Sequence, residues 1–294
     1  MRKDSLKIKK NIIFVYNLKT SYVKILKEKE KNKDFNSNII FFIKIEEIFQ
    51  NLDIFPIIKK LELNGFSLFA TQSKDFKVDF TNELCLIEYK NQQIYTMFEF
   101  TELFISFIFS QTVGKLINSS KNFNQEINAA NIPQFSNFDN GSTHLTKILA
   151  DCGDFGPDFI ALGRYLTVKG KNDIAYRKYG ENHSKLANLL GLCYLDFTKR
   201  PSKIYLTSLG LELSKKNIEK QKELIAKLSI QIPVISISLI EAQKEKINLR
   251  EKILYFLSKT TTDRRIPNVV YILDNIRKYT KEISIFEIFN NIER

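Results

Sequence analysis

Between residues 176 and 190 the run YRKYGENHSKLANLL combines an apolar set with a polar one at helical spacing. Leu186, Ala187, Leu189 and Leu190 supply a face for packing. Glu181, Asn182, His183, Ser184, Lys185 and Asn188 supply hydrogen-bonding groups of the kind that read base edges in a major groove. Arg177 and Lys178, flanked by Tyr176 and Tyr179, suit contact with phosphates. So do Lys199, Arg200 and Lys203, which lie in and beside a turn between two β-rich pieces, LCYLDF and KIYLTSLG. This is the chemistry of recognition, in which no bond is made or broken. Other chemistries find little support. Gly163, Gly170 and Gly180 form no dinucleotide-binding or phosphate-binding loop. His144 and His183 fall in separate expected helices without metal-ligand spacing, and Asp151, Asp154 and Asp158 lack the spacing of a calcium loop.

The balance of charge points the same way. The chain has 294 residues, 45 Lys and Arg against 33 Asp and Glu, and a formal net charge of +12. Residues 1–140 carry 19 basic and 16 acidic side chains, and residues 141–294 carry 26 and 17, so the excess is concentrated in the second half. An abundance of Lys, Asn, Ile and Phe resembles the coding bias of an AT-rich genome, which raises the overall charge without any ligand. Its uneven distribution is what a polyanion-binding second half predicts. Cys85, Cys152 and Cys193 are widely separated, which argues against a disulfide framework and for a reducing, cytoplasmic setting. No apolar stretch reaches the roughly 20 residues of a membrane span.

These residues need elements to position them. The spacing predicts helices over 43–50 and 54–63, the second stopped by Asn64-Gly65. From 66 to 98 the runs FSLFA, FKVDF, LCLIEY and QIYTMF alternate with turn-prone pieces and predict an antiparallel meander, followed by a helix over 101–117. A polar stretch over 121–141 reads as a linker between an α/β domain, 1–120, and a mainly helical region, 142–294. In that region Ser142 is expected to cap a helix running to Leu149, and Pro157 to open another running to Leu166. Glu181 to Leu190 is expected as a third, bounded by Gly180 and Gly191. A basic hairpin follows, then a long helix over 211–230. The fold class expected is α+β. Three helices and a basic hairpin are the order of a winged helix-turn-helix, and a second helix-turn-helix is expected at 250–280.

The run AYRKYGENHSKLANLLGL followed by KIYLTSLGLELSK resembles the winged-helix module of many type II restriction endonucleases. That module has a tyrosine-containing approach, an LGL helix end and an LT-x-LG step from strand to helix. The resemblance continues into TTTDRRIPNVVYILDNI, where Arg264, Arg265, Val269, Leu273 and Ile276 fall on the family's C-terminal pattern. Ile272 and Asn275 stand where that pattern has tryptophans, and Asn268 where it has threonine. The resemblance implies sequence-specific binding of double-stranded DNA, with Arg264 and Arg265 as phosphate or guanine contacts. Cleavage of a palindromic site would predict a two-fold homodimer, and a partner subunit that supplies catalysis is the alternative.

Proteins with this module often carry a metal-dependent nuclease of the PD-(D/E)xK superfamily in front of it. That superfamily places one acid at the end of a strand and an acid-x-Lys on the next. Here FKVDFTNELCLIEYK supplies Asp79, Glu88 and Lys90. Asp79 and Glu88 would hold Mg²⁺, and Lys90 would stand beside the attacking water. Glu46 or Glu47 is a possible further ligand. Val78 replaces the proline that often precedes the first acid. The resemblance therefore implies a Mg²⁺-dependent endonuclease. The alternative is a non-catalytic recognition subunit of a restriction or defence system, or a transcriptional regulator.

Overall fold

The computed structural model describes residues 7–9, 12–31, 38–72, 77–81, 84–88, 94–120, 127–129, 131–167, 169, 172–282 and 285–293. The chain is α+β. After a short strand β1 (Lys7–Lys9) come β2 (Ile12–Val15), α1 (Leu18–Lys31), β3 (Asn38–Phe42), α2 (Ile45–Ile48), α3 (Ile54–Leu63) and β4 (Ser67–Thr71). Strands β2, β3 and β4 pair in parallel. The sequence NIIFF explains why β3 lies inside this sheet. Ile39 and Phe41 face the main core while Ile40 joins a second apolar cluster with Ile94, so both faces need cover. Helix α3 matches its expected bounds, burying Ile54, Phe55, Ile58 and Leu61 on one face. It ends where Gly65 takes φ +82° and donates its N–H to the Glu62 carbonyl. The helix expected over 43–50 is only the single turn α2.

The meander is not what forms. The next strands are β5 (Lys77–Thr81), β6 (Leu84–Glu88) and β7 (Ile94–Thr96). β5 and β6 make a hairpin that pairs with β1 in a sheet of its own, whereas β7 pairs antiparallel with β4. A strand has two edges, and those of β4 are taken by β3 and β7, which leaves none for β5. The helix expected over 101–117 is also divided, into α4 (Met97–Ser110) and α5 (Val113–Ser120), bent by 110°. A capping box between Thr96 and Glu99 opens α4. Gln111 is extended, and both carboxylate oxygens of Glu282 accept the Val113 N–H at 2.8 Å, which restarts the helix in a new direction.

The second half is helical around one hairpin. A π-turn over Asp139–Thr143 runs into α6 (His144–Cys152), so Ser142 is a buried residue within the turn rather than a cap. Helix α7 (Phe159–Leu166) is capped by Asp158, which accepts the Ala161 N–H, so Pro157 precedes the cap instead of opening the first turn. Helix α8 runs over Asp173–Leu189 from an Asn172 cap, with Gly180 in its middle. Strands β8 (Cys193–Asp196) and β9 (Lys203–Leu206) are antiparallel, and Asp158 adds an isolated bridge to Lys203. The helix expected over 211–230 divides into α9 (Ser208–Ser214) and α10 (Ile218–Ser229), because Asn217 accepts the Lys220 N–H and caps a new start. Next are α11 (Pro233–Ala242), β10 (Ile247–Asn248), α12 (Leu249–Leu254), α13 (Lys259–Thr280), α14 (Phe286–Asn290) and β11 (Ile292–Glu293).

One apolar core is continuous through both halves, from Phe41, Phe55 and Phe104 to Leu192, Leu209, Leu224 and Ile272. Ile127, Ile132 and Phe138, in the stretch expected as a linker, belong to it. Polar contacts also cross between the halves. The buried Lys227 ammonium donates to the carbonyls of Ile108, Phe109 and Gln111, closing the C-terminal end of α4. Among the described residues no single helix is long and apolar enough to cross a membrane.

Candidate nucleic-acid interface

Helices α7 and α8 cross almost in backbone contact. A Cβ at Gly163 would lie 2.0 Å from the Tyr176 carbonyl oxygen, and one at Gly180 would lie 2.1 Å from that of Phe159. Only two glycines allow this approach. The crossing sets which side of α8 faces outward. Gly180, His183, Ser184, Leu186 and Ala187 are buried, while Ile174, Arg177, Lys178 and Lys185 are exposed.

Two residues expected to read bases are therefore turned inward. His183 is 1% exposed, held between the rings of Phe135 and Tyr179 at centroid distances of 4.7 and 4.4 Å. Among the described residues neither ring nitrogen has a hydrogen-bond partner, and burial pushes the imidazole down to about 4, so it is neutral near pH 7. Ser184 is buried and donates its hydroxyl to the Glu181 carbonyl. The stripe that seats Leu186 and Leu190 also takes the residues one turn earlier, which a helix starting at Glu181 conceals. Asn188 is half-buried and donates to the Cys193 carbonyl, joining the end of α8 to β8. Asn182 is half-buried, and Lys185 pairs with Glu181 at 2.7 Å.

The hairpin brings other cations to α8. Arg177, Lys199 and Arg200 line one cleft of about 370 Å³, together with Asp158, Phe159, Ile160, Phe197, Pro201 and Ser202. All three cations are exposed, and among the described residues none is in an ion pair, unlike Lys185, Lys215 and Lys216. Lys203 is half-buried, opposite Asp196 in the hairpin and Asp158 in the bridge, and does not line the cleft. Asp196 holds the start of the turn by accepting from the N–H and hydroxyl of Thr198. Phe197, Ser202 and Asp158 were not among the expected binding residues. The signal for Phe197 is an aromatic beside a basic turn.

On α13 the expected arginine pair separates. Arg264 is exposed. Arg265 is 6% exposed and donates to the carbonyls of Ala129 and Ile132, so it holds the segment before α6 and is not available to DNA. It falls on the stripe of Thr262, Val269, Ile272 and Ile276, spaced three and four residues apart.

The backbone register puts Asp79 opposite Leu86 and Glu88 opposite Lys77, so the two acids stand two positions apart on neighbouring antiparallel strands. Their side chains, and Lys90 altogether, lie outside the described residues. Glu46 and Glu47 are exposed on α2. No protein-family model, curated protein or solved structure matches the chain.

Proposed function

We propose that the chain binds double-stranded DNA sequence-specifically in a restriction or defence setting. In this reading α6, α7, α8 and the β8–β9 hairpin form a winged helix-turn-helix. The bridge of Asp158 to β9 supports it, because it adds a short third strand between the first and second helices. The observation that carries the proposal is the convergence of unpaired cations: Arg177 from α8 meets Lys199 and Arg200 from the hairpin turn. Many lysines elsewhere pair with nearby carboxylates, whereas among the described residues none of these three is in an ion pair, although Asp158 lines the same cleft. With Lys178, it would track phosphates beside the groove that α8 enters. Asn182 and Lys185 are the polar side chains on the outward half of α8 that remain for base edges. Arg264 forms a separate basic point on α13.

A second reading rests on the register of β5 and β6. Two acids two positions apart on adjacent antiparallel strands would suit a nuclease metal site, with Asp79 and Glu88 as Mg²⁺ ligands and Lys90 beside the water, although Asp79 lies within β5 rather than at its end. The chain would then be a Mg²⁺-dependent endonuclease rather than a recognition subunit.

One experiment addresses both. Purified protein is incubated with plasmid or phage DNA over a range of salt, with Mg²⁺ or EDTA, beside Glu88→Ala. DNA retention should weaken with salt with a log–log slope of about −3 for three neutralised phosphates. Salt-insensitive or absent retention refutes the binding proposal. Mg²⁺-dependent fragments that vanish in Glu88→Ala would establish the endonuclease, and retention without cutting would leave a recognition protein.

A further inference from the structure

The cleft at the hairpin is larger than contact with a duplex backbone requires. This recess, about 370 Å³, falls in the range of small-molecule sites, roughly 300–1,000 Å³. One wall is the ring of Phe197, which remains 61% exposed although it belongs to the largest class of apolar side chains. Its centroid lies 6.2 Å from that of Phe159, whose ring is tilted 45° to it and also borders the cleft. Arg177, Lys199 and Arg200 line the same cleft, together with Ser202 and Asp158.

We propose that this cleft receives one unpaired nucleotide of the bound DNA, its base stacked on Phe197 and its phosphate held by Arg177, Lys199 and Arg200. The inference rests on the DNA-binding reading above and specifies its substrate. An aromatic next to a group of cations is the pairing that single-stranded nucleic acid recognises, because every base has a π-face and every nucleotide a phosphate. Asp158 argues against a nucleoside triphosphate, since a carboxylate among the lining residues repels the second and third phosphates. Its Oδ1 caps α7, which leaves Oδ2 as an acceptor for an amino group on the base edge.

The energetics favour a nucleotide that is already unpaired. Stacking one base on one aromatic ring strengthens binding about tenfold. Extruding a matched, stacked base costs more than that, and the cost is least for a mismatched or bulged one. A cleft with one stacking ring therefore selects distorted duplex and leaves matched duplex closed.

The test uses the full chain and three labelled DNAs of one sequence: a matched duplex, the same duplex with a single-nucleotide bulge, and the bulged duplex with 2-aminopurine at the bulge. The bulged duplex should bind about tenfold more tightly than the matched one, and 2-aminopurine fluorescence should fall on binding. In Phe197→Leu the preference should drop to about one and the quench should disappear. Lys199→Ala should weaken the bulged duplex while keeping the quench. Equal affinities with unchanged 2-aminopurine emission would overturn the proposal and leave duplex binding intact. Failure to retain any duplex at low salt would overturn the DNA-binding reading itself, a distinguishable result.

Discussion

Replacing Gly180 by alanine would place a methyl carbon 2.1 Å from the Phe159 carbonyl oxygen and 2.9 Å from the Gly163 nitrogen, where ordinary contacts begin near 3.4 Å. Both obstacles are backbone in the packed crossing of α7 on α8, so no side chain can swing aside, and the helices must separate by about 1 Å. Overpacking of this kind costs about 3 kcal/mol at the upper end of its usual range. Against it stands the gain from alanine over glycine in a helix interior, about 1 kcal/mol. The net expectation is a loss of about 2 kcal/mol. Gly114 provides the control. It lies in helix α5, where a methyl group would meet open space, nothing being within 4 Å, so Gly114→Ala should stabilise by about 0.5–1 kcal/mol. Urea unfolding followed by far-UV circular dichroism measures both, with the slope checked for constancy. Gly180→Ala should also weaken DNA retention, since moving α8 draws Arg177 away from Lys199 and Arg200. A Gly180→Ala protein as stable as the parent, or more so, would refute the close crossing and the orientation of α8 derived from it.

Three further outcomes are expected. Lys227→Met removes the donor to three carbonyls at the end of α4 and should destabilise by about 2–3 kcal/mol in urea unfolding. His183 is held down to about 4 in the folded chain by burial, while the unfolded imidazole takes a proton near pH 6.5. The unfolded state therefore binds more protons between those values, and the contribution, present in full above about pH 6.5, is lost as pH falls toward 4. The whole loss is about 3 kcal/mol, and stability measured against pH should flatten over that window in His183→Leu. Arg265→Ala should lower stability by leaving the Ala129 and Ile132 carbonyls without their donor, yet leave the salt slope of DNA retention unchanged, whereas Arg177→Ala should reduce that slope by about 1.

Features set by local forces are legible in the amino-acid sequence alone. The apolar spacing of Ile54, Phe55, Ile58 and Leu61 with Asn64-Gly65 behind it sets α3, because period and stop act within one or two turns. The alternation around Lys199 and Arg200 sets the β8–β9 hairpin for the same reason, and the charge excess of residues 141–294 is arithmetic. Long-range approach decided the rest. Gly180 looks like a boundary when read alone, since glycine weakens helices. It becomes the middle of α8 because the backbone of α7 lies where a side chain would be. His183, Ser184 and Arg265 look like surface groups by residue type, and are buried because their helical positions share a stripe with Leu186, Leu190 or Val269. β4 could not be assigned partners from its own residues, since pairing depends on which strands reach its two edges. Arg177 joins Lys199 and Arg200 only because the helix crossing and the hairpin turn meet in space, a distance that neither segment encodes alone.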